Sequence, residues 1–160
     1  MTRVIWRVHK QDFNLIEDLV RSALAAGSRD VYPQKVLEKL AGLYSPRLLA
    51  QRPGHMIVAE EDSLILGYAR FETDHDSLYL ASLYVDPAVS GSGVGSTLLA
   101  GVEGFAKQKL GVPAPRVYAS ALLNAAPFYR AKGYTTSRAF VSDVDGVPVP
   151  LIPVEKTLLS

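Results

Sequence analysis

The chain predicts a mixed α/β fold, with a central sheet that is antiparallel in its middle and flanked by helices. Three observations point there. Two extended runs, Met56 to Glu60 and Leu64 to Glu72, flank Glu61-Asp62-Ser63 as the arms of a hairpin would. A third run, Leu78 to Val85, leads through a glycine-rich segment into a helical pattern, and a short extended run follows at Arg116 to Ala119. That gives a strand–helix–strand section beside the antiparallel strands.

The elements follow in order. Val4 to Val8 reads as a short first strand. Asp12 is placed to cap a helix whose Phe13, Ile16, Val20 and Ala23 share one face, and Gly27-Ser28 ends it. Pro33 opens a second helical stretch with Val36, Leu37 and Leu40 on its apolar side. Ser45-Pro46 reads as a cap followed by a first-turn proline, and Arg52-Pro53-Gly54 as a turn. After the three central strands, Asp86-Pro87 stops the third. The long helix beyond the glycines buries a stripe of Val94, Leu98, Val102 and Phe105, with Leu99, Ala106 and Leu110 beside it, and Gly111 to Pro115 breaks it. Asn124 is expected to cap a helix that tolerates Pro127 in its first turn and ends at Gly133. Tyr134 to Ser142 and Val147 to Leu158 form the last extended pair, joined by Asp143-Val144-Asp145-Gly146. Pro148, Pro150 and Pro153 lack amide donors, so the final strand is expected at an edge, bulged or irregular. No domain boundary is visible, and residues 1–160 read as one domain.

Composition narrows the function classes. The 160 residues are 48% hydrophobic and 21% charged, the balance of a soluble globular protein. Net charge is +1, from 17 basic and 16 acidic residues, so no basic surplus argues for nucleic acid. With no cysteine there is no disulfide framework, no thiolate nucleophile and no Cys-type zinc site. His9, His55 and His75 lack metal-ligand spacing, and no metal is expected. Neither a signal-peptide pattern nor a membrane-length apolar run is present, so a cytoplasmic protein is expected.

Ser90-Gly91-Ser92-Gly93-Val94-Gly95 between a strand and a helix is the pattern of an anion site. Helix N-termini present unpaired N–H groups and partial positive charge, and glycines let the backbone approach a phosphate. A P-loop requires lysine, but here the helix start reads Gly95-Ser96-Thr97. A dinucleotide fingerprint requires a third glycine where Ser96 stands, and a later acidic residue that the stretch from Gly104 to Tyr118 does not supply. The diphosphate of coenzyme A and a plain glycine-rich turn stay open.

Two stretches carry a family resemblance. Leu83-Tyr84-Val85-Asp86-Pro87, then Ser90 to Gly95, then Leu98-Leu99, resembles the acetyl-CoA signature of the GNAT superfamily of N-acetyltransferases. Gly93 and Gly95 match its two small positions, whereas Ser90 stands where glutamine or arginine is usual and Ser92 where a basic residue is common. Asn124-Ala125-Ala126-Pro127-Phe128-Tyr129-Arg130-Ala131-Lys132-Gly133-Tyr134 is similar to the family's second motif.

The resemblance implies a GNAT-like acyltransferase fold and transfer of acetyl from acetyl-CoA to an amine acceptor, directly, because no cysteine can hold the acetyl group. It implies that backbone from Leu83 through Tyr84 to Val85 meets the pantetheine arm. The segment Ser90, Gly91, Ser92, Gly93, Val94, Gly95 and Ser96 would then hold the diphosphate, with Asn124 and Phe128 beside the cofactor. Tyr129 takes the position of the family tyrosine that faces the sulfur and would be the general acid. A homodimer through the final strands is the family analogy.

A lysine-like amine has a pKa of about 10.4, so roughly one in a thousand is neutral at pH 7. A base or a site that disfavours the cation must help. Glu72, Asp74 and Asp76 around the central turn are candidates, and Tyr79 or Tyr84 could position a water. The resemblance also implies that the first helical region covers the site, which makes Tyr32, Tyr44 and Arg47 candidates for the acceptor pocket, with ordinary core packing the alternative. A non-catalytic acyl-CoA-binding module and a nucleotide-binding α/β protein are the competing functions.

Overall fold

Tight turns in the left-handed region set the antiparallel part of the sheet. In the computed structural model, which describes residues 2–159, β1 (Arg3–Ile5), α1 (Phe13–Gly27), α2 (Gln34–Gly42) and α3 (Pro46–Gln51) precede β2 (His55–Glu61), β3 (Leu64–Asp74) and β4 (Ser77–Val85). Then come α4 (Val94–Lys109), β5 (Arg116–Leu122), α5 (Ala126–Ala131), β6 (Thr135–Thr136), β7 (Phe140–Val144) and β8 (Val147–Thr157). Asp62 and Ser63, at φ 51° and 65°, close the β2–β3 hairpin, and Asp145 and Gly146, at 49° and 84°, close β7–β8. Positive φ at both central residues is the type I′ geometry that matches strand twist.

The sheet order is β1-β2-β3-β4-β5-β8-β6, with β7 also on β8. All ladders are antiparallel except β4–β5, which is parallel. One face carries α4, with Ile57, Ala59, Phe71, Leu98 and Val102 in its core. The other face carries the N-terminal helices, with Ile16, Val20, Leu49, Val58 and Tyr68 buried. Ile57 and Val58 therefore face opposite layers, as strand alternation requires.

Several expectations change. The first strand stops at Ile5 rather than Val8, because the chain turns into a short 3-10 segment at Lys10–Asp12. There the Asp12 carboxylate accepts from the His9 N–H at 3.1 Å instead of capping α1. Ser45 does cap α3, accepting from the Leu48 N–H. The stretch from Tyr134 to Ser142 is two strands, β6 and β7, both pairing with β8.

The final strand is not an edge: β8 lies between β5 and the β6/β7 pair. Its prolines fit because of register. The two-residue turn makes Val144↔Val147, Ser142↔Val149 and Phe140↔Leu151 the hydrogen-bonded pairs. Pro148 and Pro150 then direct their nitrogens to the other side, where β5 begins pairing only at Leu151. Pro153 directs its nitrogen into the gap between β7 and β6, whose ladders end at Leu151 and begin at Val154. The exposed edge is β7, with Phe140 and Val141 open to solvent. Among the described residues, no helix is long and apolar enough to cross a membrane.

Burial raises the phenol pKa of Tyr68, Tyr84, Tyr129 and Tyr134, and the Glu103 carboxylate raises Tyr134 further. Unfolded phenols ionise near pH 10. Above about pH 10 the unfolded chain binds fewer protons than the folded one, so stability falls as pH rises. The stabilisation is complete below that pH and is lost as pH climbs toward the folded values. Denaturant titrations should show a steep loss only above pH ~10, with tyrosinate absorbance appearing together with unfolding. Tyrosinate forming in a chain that keeps its circular dichroism would contradict this.

Candidate active site

The end of β4 and the start of α4 build a ring of free amides. The Asp86 N–H donates to Leu66 O at 2.8 Å, and its carboxylate accepts from the Ala88 N–H at 2.9 Å, opening a 3-10 turn over Pro87–Val89. The Ser90 and Ser92 N–H groups donate within that turn, to Pro87 O and Val89 O. Gly93, at φ 93°, ends the turn, and the first amide of α4 to find a carbonyl is Thr97, bonding Gly93 O at 3.0 Å. Among the described residues, the amides of Gly91, Gly93, Val94, Gly95 and Ser96 make no bond within the chain. Free donors at the positive end of a 16-residue helix suit a multiply charged anion. Gly95 is needed for closeness: a Cβ there would stand 3.3 Å from Phe128 Cε1.

A cavity of about 500 Å³ opens beside these amides. Of the residues expected at the cofactor, Leu83, Val85, Ser90, Gly91, Gly93, Val94, Gly95, Ser96, Asn124 and Phe128 line it, as does Tyr129. Two fall outside. Ser92 turns its hydroxyl onto Val89 O, and Tyr84 faces a different cavity. Sequence reading missed Ala125 and Lys132, which complete the lining. Lys132 brings a cation to a loop that has none.

Asn124 does not cap α5, whose N-cap is Ala125 and has no side-chain bond. Its Oδ1 instead accepts from the hydroxyl of Ser28, a buried residue just past α1, at 3.0 Å. That bond holds Asn124 at the cavity rim and ties α1 to the β5–α5 connection.

The second cavity comes from strand divergence. β4 and β5 pair only at Ser77↔Arg116, Leu78↔Val117 and Tyr79↔Tyr118. Beyond Tyr79 they separate. The register of β3 steps from Phe71↔Leu80 to Arg70↔Ser82, leaving Ala81 as a bulge that bends β4 away. The gap holds a cavity of about 230 Å³ lined by Tyr44, Arg52, Arg70, Tyr79, Ser82, Tyr84 and Ser120 among others. Leu83, Ala125 and Tyr129 line both cavities.

Tyr129 therefore stands where the two spaces meet. Its ring packs edge-on to Phe128 and Tyr134, at 5.2 and 5.4 Å, and it is 5% exposed. Burial raises its pKa, so the phenol is protonated at neutral pH.

None of the acidic candidates reaches the second cavity. Glu72 pairs with Arg70 at 3.2 Å, Asp74 accepts from the Tyr118 hydroxyl at 3.0 Å, and Asp76 accepts from Ser77. Tyr79 and Tyr84 do line it, and burial raises both phenols. Of the three residues considered from the helical region, Tyr44 lines the cavity, its hydroxyl 2.7 Å from Ser82 Oγ. Tyr32 instead bonds Pro150 O and the Leu123 N–H, a fastening of the helical layer to the sheet. Arg47 is not among the lining residues. Among the described residues, no cluster of His, Cys, Asp or Glu could hold a metal ion.

A family model described as an acetyltransferase (GNAT) domain matches residues 52–136, more than half of the chain. The chain belongs to the GNAT acetyltransferases. A GCN5-related N-acetyltransferase from Rhodopseudomonas palustris shares the fold at a TM-score of 0.86 and 20% identity, over 99% of this chain and 96% of that one. PaiA N-acetyltransferase from Thermoplasma acidophilum, crystallised with coenzyme A, gives 0.76 at 21% identity, over 99% of both chains. YncA from Salmonella typhimurium, solved with its cofactor acetyl-CoA, gives 0.64 at 22% identity, over 100% of this chain and 95% of that one. Comparison with curated protein sequences finds no match.

Proposed function

We propose that this protein transfers acetyl from acetyl-CoA to a primary amine, with cofactor in the larger cavity and acceptor in the smaller. The observation that carries this reading is the meeting of the two cavities at Leu83, Ala125 and Tyr129. A thioester entering from the glycine side and an amine entering from the strand gap come together beside one protonated phenol. Coenzyme A or acetyl-CoA in two structural neighbours supports the choice of co-substrate.

The residues divide the work. Free amides from Gly91 to Ser96 and the ammonium of Lys132 take the diphosphate. The β5-facing main chain of β4 beyond Tyr79 has lost its strand partner, which leaves polar groups to align the pantetheine arm and the thioester carbonyl. Holding both reactants there supplies much of the acceleration.

As the amine adds and the C–S bond breaks, Tyr129 donates a hydrogen bond to the leaving sulfur. A thiolate of pKa about 8.5 does not strip a proton from a phenol whose pKa lies above about 10. The phenol therefore holds the thiolate by a hydrogen bond and hands its proton to the sulfur only as it takes the proton that the nitrogen gives up, so that the free thiol of CoA, the amide and a neutral phenol result. Among the described residues no carboxylate lines the acceptor cavity, so the amine must bind neutral or pass its proton to water held by Tyr79 or Tyr84.

That missing carboxylate also favours a second reading, a module that binds acyl-CoA without transferring it. Labelled acetyl-CoA with a panel of amines separates the two. Time-dependent label in an amide product, absent without protein, is the expected result. Saturable CoA binding with no labelled amide from any amine would establish the module instead.

A further inference from the structure

We propose that the acceptor is a small amino acid whose carboxylate is held by Arg52 and Arg70. The inference rests on the acetyltransferase reading and names the acceptor class of that same cavity. Arg52 and Arg70 are the charged residues lining it, and among the described residues no acidic side chain lines it. The lining therefore presents two guanidinium groups, of which Arg70 shares its charge with Glu72 outside the lining and Arg52 does not.

Arg70 comes from the middle of β3 and is 7% exposed. Its Nη1 donates to Pro53 O at 2.8 Å and to Glu72 Oε2 at 3.2 Å. Its Nε is buried with no partner. A buried guanidinium N–H left unpaired is costly, and native proteins rarely keep one without reason. Arg52, just past α3, donates from Nη2 to Leu43 O at 2.9 Å and lies 5.8 Å from the centre of the Tyr44 ring. Among the described residues no carboxylate pairs with it.

These contacts leave both guanidinium groups fixed with donors to spare. A planar fork matches a carboxylate in bidentate fashion. Acceptors with further cationic groups, such as polyamines, would bring charge of the wrong sign. The volume, about 230 Å³, falls below the roughly 300 Å³ where pockets for drug-sized ligands begin, which favours a small molecule.

The test compares matched ligands by calorimetry on the full chain. N-acetylalanine should bind roughly 10- to 100-fold more tightly than N-ethylacetamide, which is the same product without its carboxylate. Arg52→Gln should remove most of that gap, and Arg52→Lys should keep part of it. The N-acetylated aminoethylphosphonate analogue should bind more weakly than N-acetylalanine; tighter binding would overturn the carboxylate assignment in favour of a phosphoryl group. Equal affinity for the acidic and neutral products, or a gap that survives Arg52→Gln, would overturn the anion site.

Turnover of alanine against ethylamine is measured alongside. Carboxylate-selective binding with no acetylation of alanine or of any other amine in the panel supports the anion site and sinks the transferase reading. Acetylation of ethylamine in preference to alanine does the reverse.

Discussion

Gly93→Val should weaken coenzyme A binding by two orders of magnitude or more while the chain still folds. Gly93 sits at φ 93°, and a Cβ there meets nothing in the protein within 4 Å. The substitution therefore clashes with no neighbour. It does impose left-handed backbone on a β-branched residue, a strain of about 1–3 kcal/mol. It also fills the space beside the free amides and pushes the loop away from the geometry that lets them converge. Together these amount to about 3 kcal/mol or more of lost binding, or roughly 100-fold in affinity. Gly146→Val serves as the control, because Gly146 is at φ 84° in the β7–β8 turn, faces open space and is not among the residues lining the larger cavity. It should lower thermal stability by a similar amount and leave affinity unchanged. Calorimetry and thermal melts on both variants check the pair.

Tyr129→Phe should lower kcat by roughly 10- to 100-fold, the worth of one hydrogen bond to a charged sulfur. Cofactor affinity should move far less. The ring contacts with Phe128 and Tyr134 survive the change, so the fold is retained. The split between kcat and affinity is what distinguishes a phenol acting on the leaving group from one that only packs. Pre-steady-state acetyl transfer together with CoA titration measures both quantities. Unchanged turnover would remove Tyr129 from the mechanism.

The parts written in local pattern were legible in the sequence. The α4 stripe of Val94, Leu98 and Val102 is buried where helical spacing put it. Asp62-Ser63 and Asp145-Gly146 close the hairpins that bracket the sheet. The glycines from Gly91 to Gly95 lead directly into α4, because the spacing of a turn before a helix start is a local feature.

What depended on register was not legible. The prolines of β8 argued for an edge, yet β8 is interior, because each proline falls where a neighbouring ladder has ended. Asn124 had the composition of a helix cap, but Ser28, distant in sequence, took its side chain. The cavity proposed for the acceptor was the least readable. Arg70 is one residue of an apolar strand and Arg52 belongs to a turn, and only the Ala81 bulge and the parting of β4 from β5 open a space between them. Glu72, Asp74 and Asp76 do not line that cavity, because the hairpin tip lies at the end where β4 and β5 are still paired.

A crystal structure grown in saturating acetyl-CoA is the most direct test of the whole account. It predicts the diphosphate within hydrogen-bond distance of main-chain nitrogens between Gly91 and Ser96, and the thioester sulfur facing the Tyr129 hydroxyl. Density for the cofactor anywhere else, or a sulfur turned away from that phenol, would contradict it.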